Sequence, residues 1–390
     1  MFALFGLLFA CATLMHDEPA VRWWKGNTHA HTLWSDGDSP PELVTKWYRD
    51  AGYEFLVLSD HDVLATEERW IDVEHERPLV DELRTTFGEA AVDLRAGEAG
   101  LEMRLKTIEE LRATFEAPGG FLLISGEEIS AQAEGKPVHV NGLNLAETIA
   151  PVTGSSVLDT IQRSIDAVLA QGERLGRPVL AHLNHPNFGW AIGWRDLAGL
   201  RGERFFEVYN GHPLVRNEGD ADHPSTERAW DLALTLRATE LDLPLLYGLA
   251  TDDAHDFQQE GGGLSNPGRG WIVVRARSLG AADLIAAMEA GDFYASTGVT
   301  LEDVRFDGRE LAVDVAAERG VRYTVQFVGT RDGGEVGEIL QETSGPRASY
   351  RCRGDELYVR ARVTSTRRHP NPYRYGELET AWVQPVRPGS

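Results

Sequence analysis

The sequence predicts an α/β chain: parallel βα units closed, or nearly closed, into a barrel, followed by a small antiparallel β domain. Three observations lead there. Short apolar runs alternate with amphipathic helical stretches from about residue 22 to about residue 300. Clusters of His, Asp and Glu fall where those apolar runs end. After Gly298 the pattern becomes alternating apolar and polar residues broken by Gly and Asp turns.

Residues 1–20 form an apolar leader. They have the length of a signal-peptide core, without a basic start, and are too short to span a bilayer. Leu8-Phe9-Ala10-Cys11 is a poor lipoprotein box because Phe9 is bulky. The pattern leans towards export, periplasmic or extracellular, free or lipid-anchored, over a cytoplasmic location. Ser39 is expected to cap a helix whose first turn holds Pro40 and Pro41. Phe55–Ser59, Phe121–Ile124, Pro178–Ala181, Phe205–Tyr209, Pro244–Gly248 and Gly270–Val274 read as buried strands. Between them the apolar spacing predicts helices over 153–174, Ser225–Glu240 and Asp283–Ala290. The alternating segments Val304–Phe306, Glu310–Val315, Tyr323–Val328 and Leu357–Val363 predict a sandwich-like sheet. The expected organisation is a barrel over 21–299 and a β domain over 300–390.

The net charge of −23 repels a phosphate backbone, so long nucleic acid is excluded as a partner and a small-molecule substrate is expected. Two cysteines cannot build a disulfide framework. No apolar stretch reaches transmembrane length. Oligomeric state is not legible.

The chemistry concentrates in the histidines. His29-Ala30-His31 is followed five residues later by Asp36. In a strand His29 and His31 share a face, and two imidazoles with a nearby carboxylate suit a divalent transition metal. Asp60-His61-Asp62, Glu127-Glu128, His139, His182 with His185, Asn210 with His212, and Asp252-Asp253-Ala254-His255 mark further strand ends. Carboxyl ends of parallel strands are where barrel active sites form. His16, His75, His223 and His369 have no supporting neighbours and read as surface residues. There is no Gly-x-Ser-x-Gly and no phosphate-cradling Walker loop.

The ordered set His29-x-His31…Asp36, Asp60-His61, Gly126-x-Glu128, His139, His185-Pro186 and Asp253-x-His255 resembles the PHP (polymerase and histidinol phosphatase) metallohydrolase superfamily over roughly residues 22–300. The eleven-residue step from Glu128 to His139 is similar to that of its small phosphoesterases. His182–Asn187 and Ala381–Pro385 resemble a branch with an appended β domain that includes carbamate and amide hydrolases. The resemblance implies a distorted (β/α)7 barrel holding two or three divalent metals, Zn, Mn or Fe. It implies His29, His31, Glu128 and Asp253 around one metal. Asp36, His61 and His255 would hold a second. Glu128 would bridge to a third, completed by His139 and His185. Glu128 is taken over Glu127, His185 over His182 and Asp253 over Asp252, with Asp60 and His182 behind the ligands. A hydroxide shared by adjacent metals would attack, with no protein nucleophile. His212 and Arg269 are candidate substrate contacts, and Lys25 a second candidate phosphate anchor.

Three functions compete. The first is a phosphoesterase acting on a small phosphomonoester or nucleotide. The second is an ester, amide or carbamate hydrolase using the same site, which the scarcity of Lys and Arg beside Phe188-Gly189-Trp190 keeps open. The third is a non-catalytic metal-bearing binding protein.

Overall fold

The computed structural model describes residues 20–98 and 100–389. The leader and Cys11 lie outside the described residues. Strand β1 (Arg22–Asn27), helix α1 (Pro41–Asp50) and strand β2 (Phe55–Leu58) come first. A small sheet of β3 (Trp70–Asp72), β4 (Leu94–Ala96) and β5 (Leu101–Arg104), with α2 (Arg77–Phe87) and α3 (Ile108–Phe115), follows. Next come β6 (Leu122–Ala133), β7 (Lys136–Leu143), α4 (Val157–Leu175), β8 (Leu180–Leu183) and α5 (Trp194–Ala198). Then come β9 (Phe205–Asn210), α6 (Thr226–Leu236), β10 (Tyr247–Thr251), β11 (Trp271–Ala276), α7 (Ala281–Glu289) and β12 (Phe293–Ser296). The C-terminal strands are β13 (Leu301–Phe306), β14 (Glu310–Val315), β15 (Tyr323–Arg331), β16 (Glu338–Ser344), β17 (Arg347–Arg351), β18 (Glu356–Arg368) and β19 (Leu378–Val386).

The chain is a mixed α/β structure around a thirteen-stranded sheet, ordered β10-β9-β8-β7-β6-β2-β1-β11-β12-β19-β18-β15-β16. β2, β8, β9 and β10 are buried along their length because helices or neighbouring strands cover both faces. α4 starts where the Ser156 side chain accepts from the Asp159 amide, and stops at Gly176 in the left-handed conformation. At α1 the prolines act one residue later than the sequence suggests. Pro40 is the N-cap and Pro41 the first helical residue, while the Ser39 hydroxyl donates to Asp38 instead of capping.

The strand order departs from seven regular βα units. β6 and β7 form an antiparallel hairpin, and β7 is antiparallel to β8 as well. Its two-residue turn, Glu134-Gly135, has φ of +55° and +73°, the conformation that matches hairpin twist and that glycine adopts freely. β1 and β2, β2 and β6, β8 and β9, and β9 and β10 remain parallel. The end of β1 meets the end of β10 at one parallel bridge, Ala30 to Ala254, with His31 N–H donating to the Ala254 carbonyl and Asp253 N–H to that of His29.

The sheet continues through the predicted boundary at 299, because β12 pairs with β19. A second sheet, β13-β14-β17, packs on this C-terminal part around Val313, Val325, Phe327 and Val363. Across the junction, buried Arg360 makes two 2.8 Å bonds to Asp231 of α6, and Gln384 pairs with the Gly248 backbone in both directions. Among the described residues no helix is long and apolar enough to cross a membrane.

Candidate metal centre

All nine predicted ligands meet at one end of the sheet. Ala30 and Ala254 form the bridge, so His29 and His31 flank it on one side and Asp253 and His255 on the other. Glu128 is the hub. Its Oε2 lies 3.2 Å from a ring nitrogen of each of His29, His31 and His61. Its Oε1 lies 3.0 Å from His139 Nδ1 and 3.1 Å from His185 Nε2. Asp253 Oδ1 stands 3.2 Å from His29 Nε2 and 3.3 Å from His31 Nε2. Asp36, on the solvent side, lies 3.6 Å from His61, 3.6 Å from His31 and 3.4 Å from His255.

Three overlapping sets have donor atoms close enough to share a cation: His29, His31, Glu128 and Asp253; His31, Asp36, His61 and His255; and His61, Glu128 and His139. His185 belongs to none of the three; its Nε2 meets Glu128, and its ring packs against His139 at 5.1 Å. The donor chemistry fits divalent metals. His29 Nδ1 is occupied by Glu207 Oε1 at 2.7 Å, which directs the Nε2 lone pair inward. His31 Nε2 faces it at 3.1 Å, and two imidazole nitrogens aimed at one point need a proton or a cation between them.

Electrostatics agree. Burial works against charge on His29 and His31, yet Glu128 and Asp253 outweigh it. The His31 imidazole is lifted to about 10 and that of His29 well above its usual range. Burial likewise opposes ionisation of Glu128 and Asp253, and the surrounding imidazoles hold both well below the carboxylate range. The backbone is strained where it presents two ligands. His185 has φ +25° and Asp253 φ +50°, a region that costs a non-glycine residue about 1–3 kcal/mol. At Gly37, in the loop after His31, a Cβ would lie 2.7 Å from the Thr32 nitrogen, so only glycine lets that loop close.

Other residues hold this arrangement. Glu207, fully buried on β9, accepts from the His185 amide at 2.7 Å and from Asn210 and Thr251 at 2.8 Å, besides its bond to His29. Asn184 donates to Glu128 Oε1 at 2.8 Å, and Ser130 Oγ meets His61 Nδ1 at 2.6 Å. Sequence reasoning missed Glu207. Its one signal was a lone acid in the apolar run Phe205-Phe206-Glu207-Val208-Tyr209. Asp60 accepts from the Thr32 amide and the Ser35 hydroxyl at 2.7 Å, shaping the loop that carries Asp36. Asp252 is committed to Tyr48, Asn27 and the amides of residues 268–270. Glu127 turns away, accepting from the Ile149 amide. His182 is buried beside Glu207, with a 3.9 Å separation.

Two predicted cations are used elsewhere. Arg269 is fully buried, and its guanidinium donates to the carbonyls of Gly211, Gly261, Leu264 and Asn371. Its remaining Nη2 hydrogen faces the side-chain oxygens of Asn266 and Asn371 at 3.4 Å, so the group ties loops together instead of reaching towards a substrate. The Lys25 ammonium sits over the Tyr53 and Trp271 rings at 3.9 and 4.0 Å, with burial pushing it down to about 8. His212 does reach the site: its half-buried ring packs against Phe188 at 5.9 Å and His255 at 5.7 Å. His369, expected on the surface, is buried because the β18–β19 loop that carries it folds back onto Arg269, which donates to the Asn371 carbonyl of that loop.

No protein-family model matches the chain, and no curated protein sequence matches it. Among solved structures it is similar to a two-domain Bacteroides vulgatus protein assigned a PHP-like metal-dependent phosphoesterase domain. That similarity has 14% identity and a TM-score of 0.43, over 96% of this chain and 100% of that one. It is also similar to a Bifidobacterium adolescentis protein assigned as a metal-dependent phosphoesterase, at 15% identity and TM-score 0.32, over 62% of this chain and 89% of that one. A third is an amidohydrolase from Chromobacterium violaceum with bound sulfate and no metal, at 14% identity and TM-score 0.32, over 60% of this chain and 88% of that one.

Proposed function

We propose that the protein is a metal-dependent hydrolase of small phosphomonoesters or nucleotides. The observation that carries this reading is the overlap of the three donor sets on Glu128, His31 and His61. Shared ligands hold cations close together, which is the arrangement of multinuclear phosphoesterases. The ligand set contains three carboxylates, Asp36, Glu128 and Asp253, so three divalent cations would leave the cluster net positive. That charge suits an anionic ester without help from Lys or Arg.

Zn, Mn or Fe bound there would supply Lewis acidity and the means to activate water near neutral pH. The chain's own residues supply orientation. Glu207 fixes the His29 tautomer, Asn184 holds Glu128, and Ser130 steers His61. No serine or cysteine nucleophile is required. His212 stands at the rim, where its imidazole can meet a substrate and pass a proton to a leaving oxygen.

A second reading, hydrolysis of a carboxylic ester, amide or carbamate, is favoured by one observation. The ion pairs of the nine ligands run to His, Asp and Glu, with none to Lys or Arg among the described residues. The test is turnover of p-nitrophenyl phosphate and p-nitrophenyl acetate by Mn- or Zn-loaded protein, with His61→Ala as control. The first reading expects hydrolysis of the phosphate ester, lost in the variant while the fold is retained. Hydrolysis of the acetate alone would replace it with the second. Unimpaired turnover by His61→Ala would overturn the metal site itself.

A further inference from the structure

The loop between β18 and β19, residues 369–377, runs from the C-terminal strands to the two loops that follow β9 and β10. The first of those carries His212 and the second His255. Tyr373 is half-buried, and its hydroxyl donates to Glu218 Oε2 at 2.8 Å and accepts from Asn217 Nδ2 at 3.3 Å. One residue on, Arg374 pairs with Glu218 at 3.1 Å. Two residues earlier, the Asn371 carbonyl accepts from Arg269 Nε at 3.0 Å, and the same guanidinium donates to the Gly211 carbonyl at 2.8 Å. A Cβ at Gly211 would lie 2.8 Å from that of Arg269, so only glycine lets the two loops approach this closely.

From Asn217 the hydrogen bonds run inward without a break. Its side-chain amide pairs with the Asn210 backbone in both directions. Oδ1 accepts from the Asn210 amide at 3.2 Å, and Nδ2 donates to the Asn210 carbonyl at 2.8 Å. An asparagine Nδ2 carries two hydrogens, so Asn210 takes one and Tyr373 the other. Asn210 is the last residue of β9 and is fully buried. Its own Nδ2 divides in the same way, donating to Glu207 Oε2 at 2.8 Å and to Asp253 Oδ2 at 3.1 Å. Its Oδ1 accepts from the His212 amide at 2.8 Å. Asp253 turns its other oxygen, Oδ1, to His29 and His31. Both hydrogens of each asparagine amide are placed and each Oδ1 accepts, and a network satisfied in this way holds one arrangement. A tyrosine that anchored only its own loop would need Glu218 and no bond to Asn217.

We infer that Tyr373, supplied by the C-terminal domain, is a positioning residue of the metal centre, acting through Asn217 and Asn210 to fix the orientation of Asp253. The inference rests on reading the ligand cluster as a metal centre and is independent of the reaction carried out there. It gives the appended strands a part in metal binding, although none of them carries a candidate ligand.

The test measures dissociation constants for Mn, Zn and Co on the full chain, with the visible spectrum of the Co-loaded protein reporting ligand geometry. Tyr373→Phe deletes only the hydroxyl and is expected to weaken binding about fivefold and to shift the Co absorption. Asn210→Ala, nearer the ligand, is expected to weaken it by about tenfold or more. The double variant should bind no more weakly than Asn210→Ala alone, because both residues act along one route. Arg374→Ala breaks the neighbouring ion pair and leaves Tyr373 on Asn217, so it should bind metal as wild type does. Unfolding midpoints show whether each variant is folded, and Asn217→Ala replaces Asn210→Ala should the latter fail to fold. Wild-type affinity and spectrum in Tyr373→Phe would overturn the inference. So would a lowered midpoint with unchanged affinity, which marks an anchor for the loop alone, and so would additive losses in the double variant. A wild type that binds none of the three metals would overturn the metal reading itself, and this inference with it.

Discussion

Glu128 organises the centre because its two oxygens face different histidines: His29, His31 and His61 on one side, His139 and His185 on the other. Behind it, Glu207 does comparable work without touching a metal position. Partners of this kind typically account for 10–100-fold in metal affinity. Glu207→Gln is therefore expected to weaken metal binding by about that factor while the circular-dichroism spectrum is unchanged. An unaltered dissociation constant would remove Glu207 from the account. Part of the candidate cluster was legible because His-x-His and Asp-x-His put paired donors at strand ends, and the resemblance supplied the rest of the candidate set. Glu207 was not, because a single acid inside an apolar strand acquires meaning only when β9 lies beside His29. Arg269 misled for the converse reason. A sequence shows that an arginine is near a site, and only the fold shows that backbone carbonyls and two asparagine side chains occupy its donors.

Helix and strand boundaries follow local rules that were partly readable. The Ser225 cap falls where the pattern placed the start of α6, and the Ser156 cap starts α4 three residues beyond the expected 153. The β6–β7 hairpin was missed because Glu-Gly is a weak turn signal beside Asn-Gly. In α1, Glu42 has one oxygen buried without a partner, and burial raises its carboxyl from 4.5 to about 7. A raised carboxyl binds its proton more tightly in the folded state. Its contribution is full below pH 4.5 and is lost as pH rises through about 7. Glu42→Gln should accordingly raise the unfolding midpoint at pH 8 relative to wild type, and leave it nearly unchanged at pH 4.5. Equal shifts at both pH values would contradict the assignment. On α6, Asp231 neutralises buried Arg360 of β18 with two bonds. Asp231→Ala removes two bonds from that guanidinium, which keeps Glu227 at 3.3 Å, and is expected to cost about 3 kcal/mol in urea unfolding. A loss below about 1 kcal/mol would show that water reaches Arg360.

Viewed as one body, the chain joins a curled mixed sheet to a C-terminal sandwich through a shared run of strands, β11-β12-β19-β18. Composition and periodicity lead to the expectation of two parts with a change near residue 299. They could not announce that the parts share a sheet, because the pairing of β12 with β19 spans more than eighty residues of sequence. In a molecule of net charge −23, divalent cations held by this cluster would make it a local positive centre. The most direct measurement is therefore the metal-to-chain ratio of protein reconstituted with Mn or Zn, by elemental mass spectrometry, for wild type and Glu128→Gln. The account predicts roughly two to three equivalents in wild type. It predicts a clear drop in the variant, because Glu128 serves two of the three donor sets. A wild-type ratio near zero, or one that Glu128→Gln leaves unchanged, would contradict it.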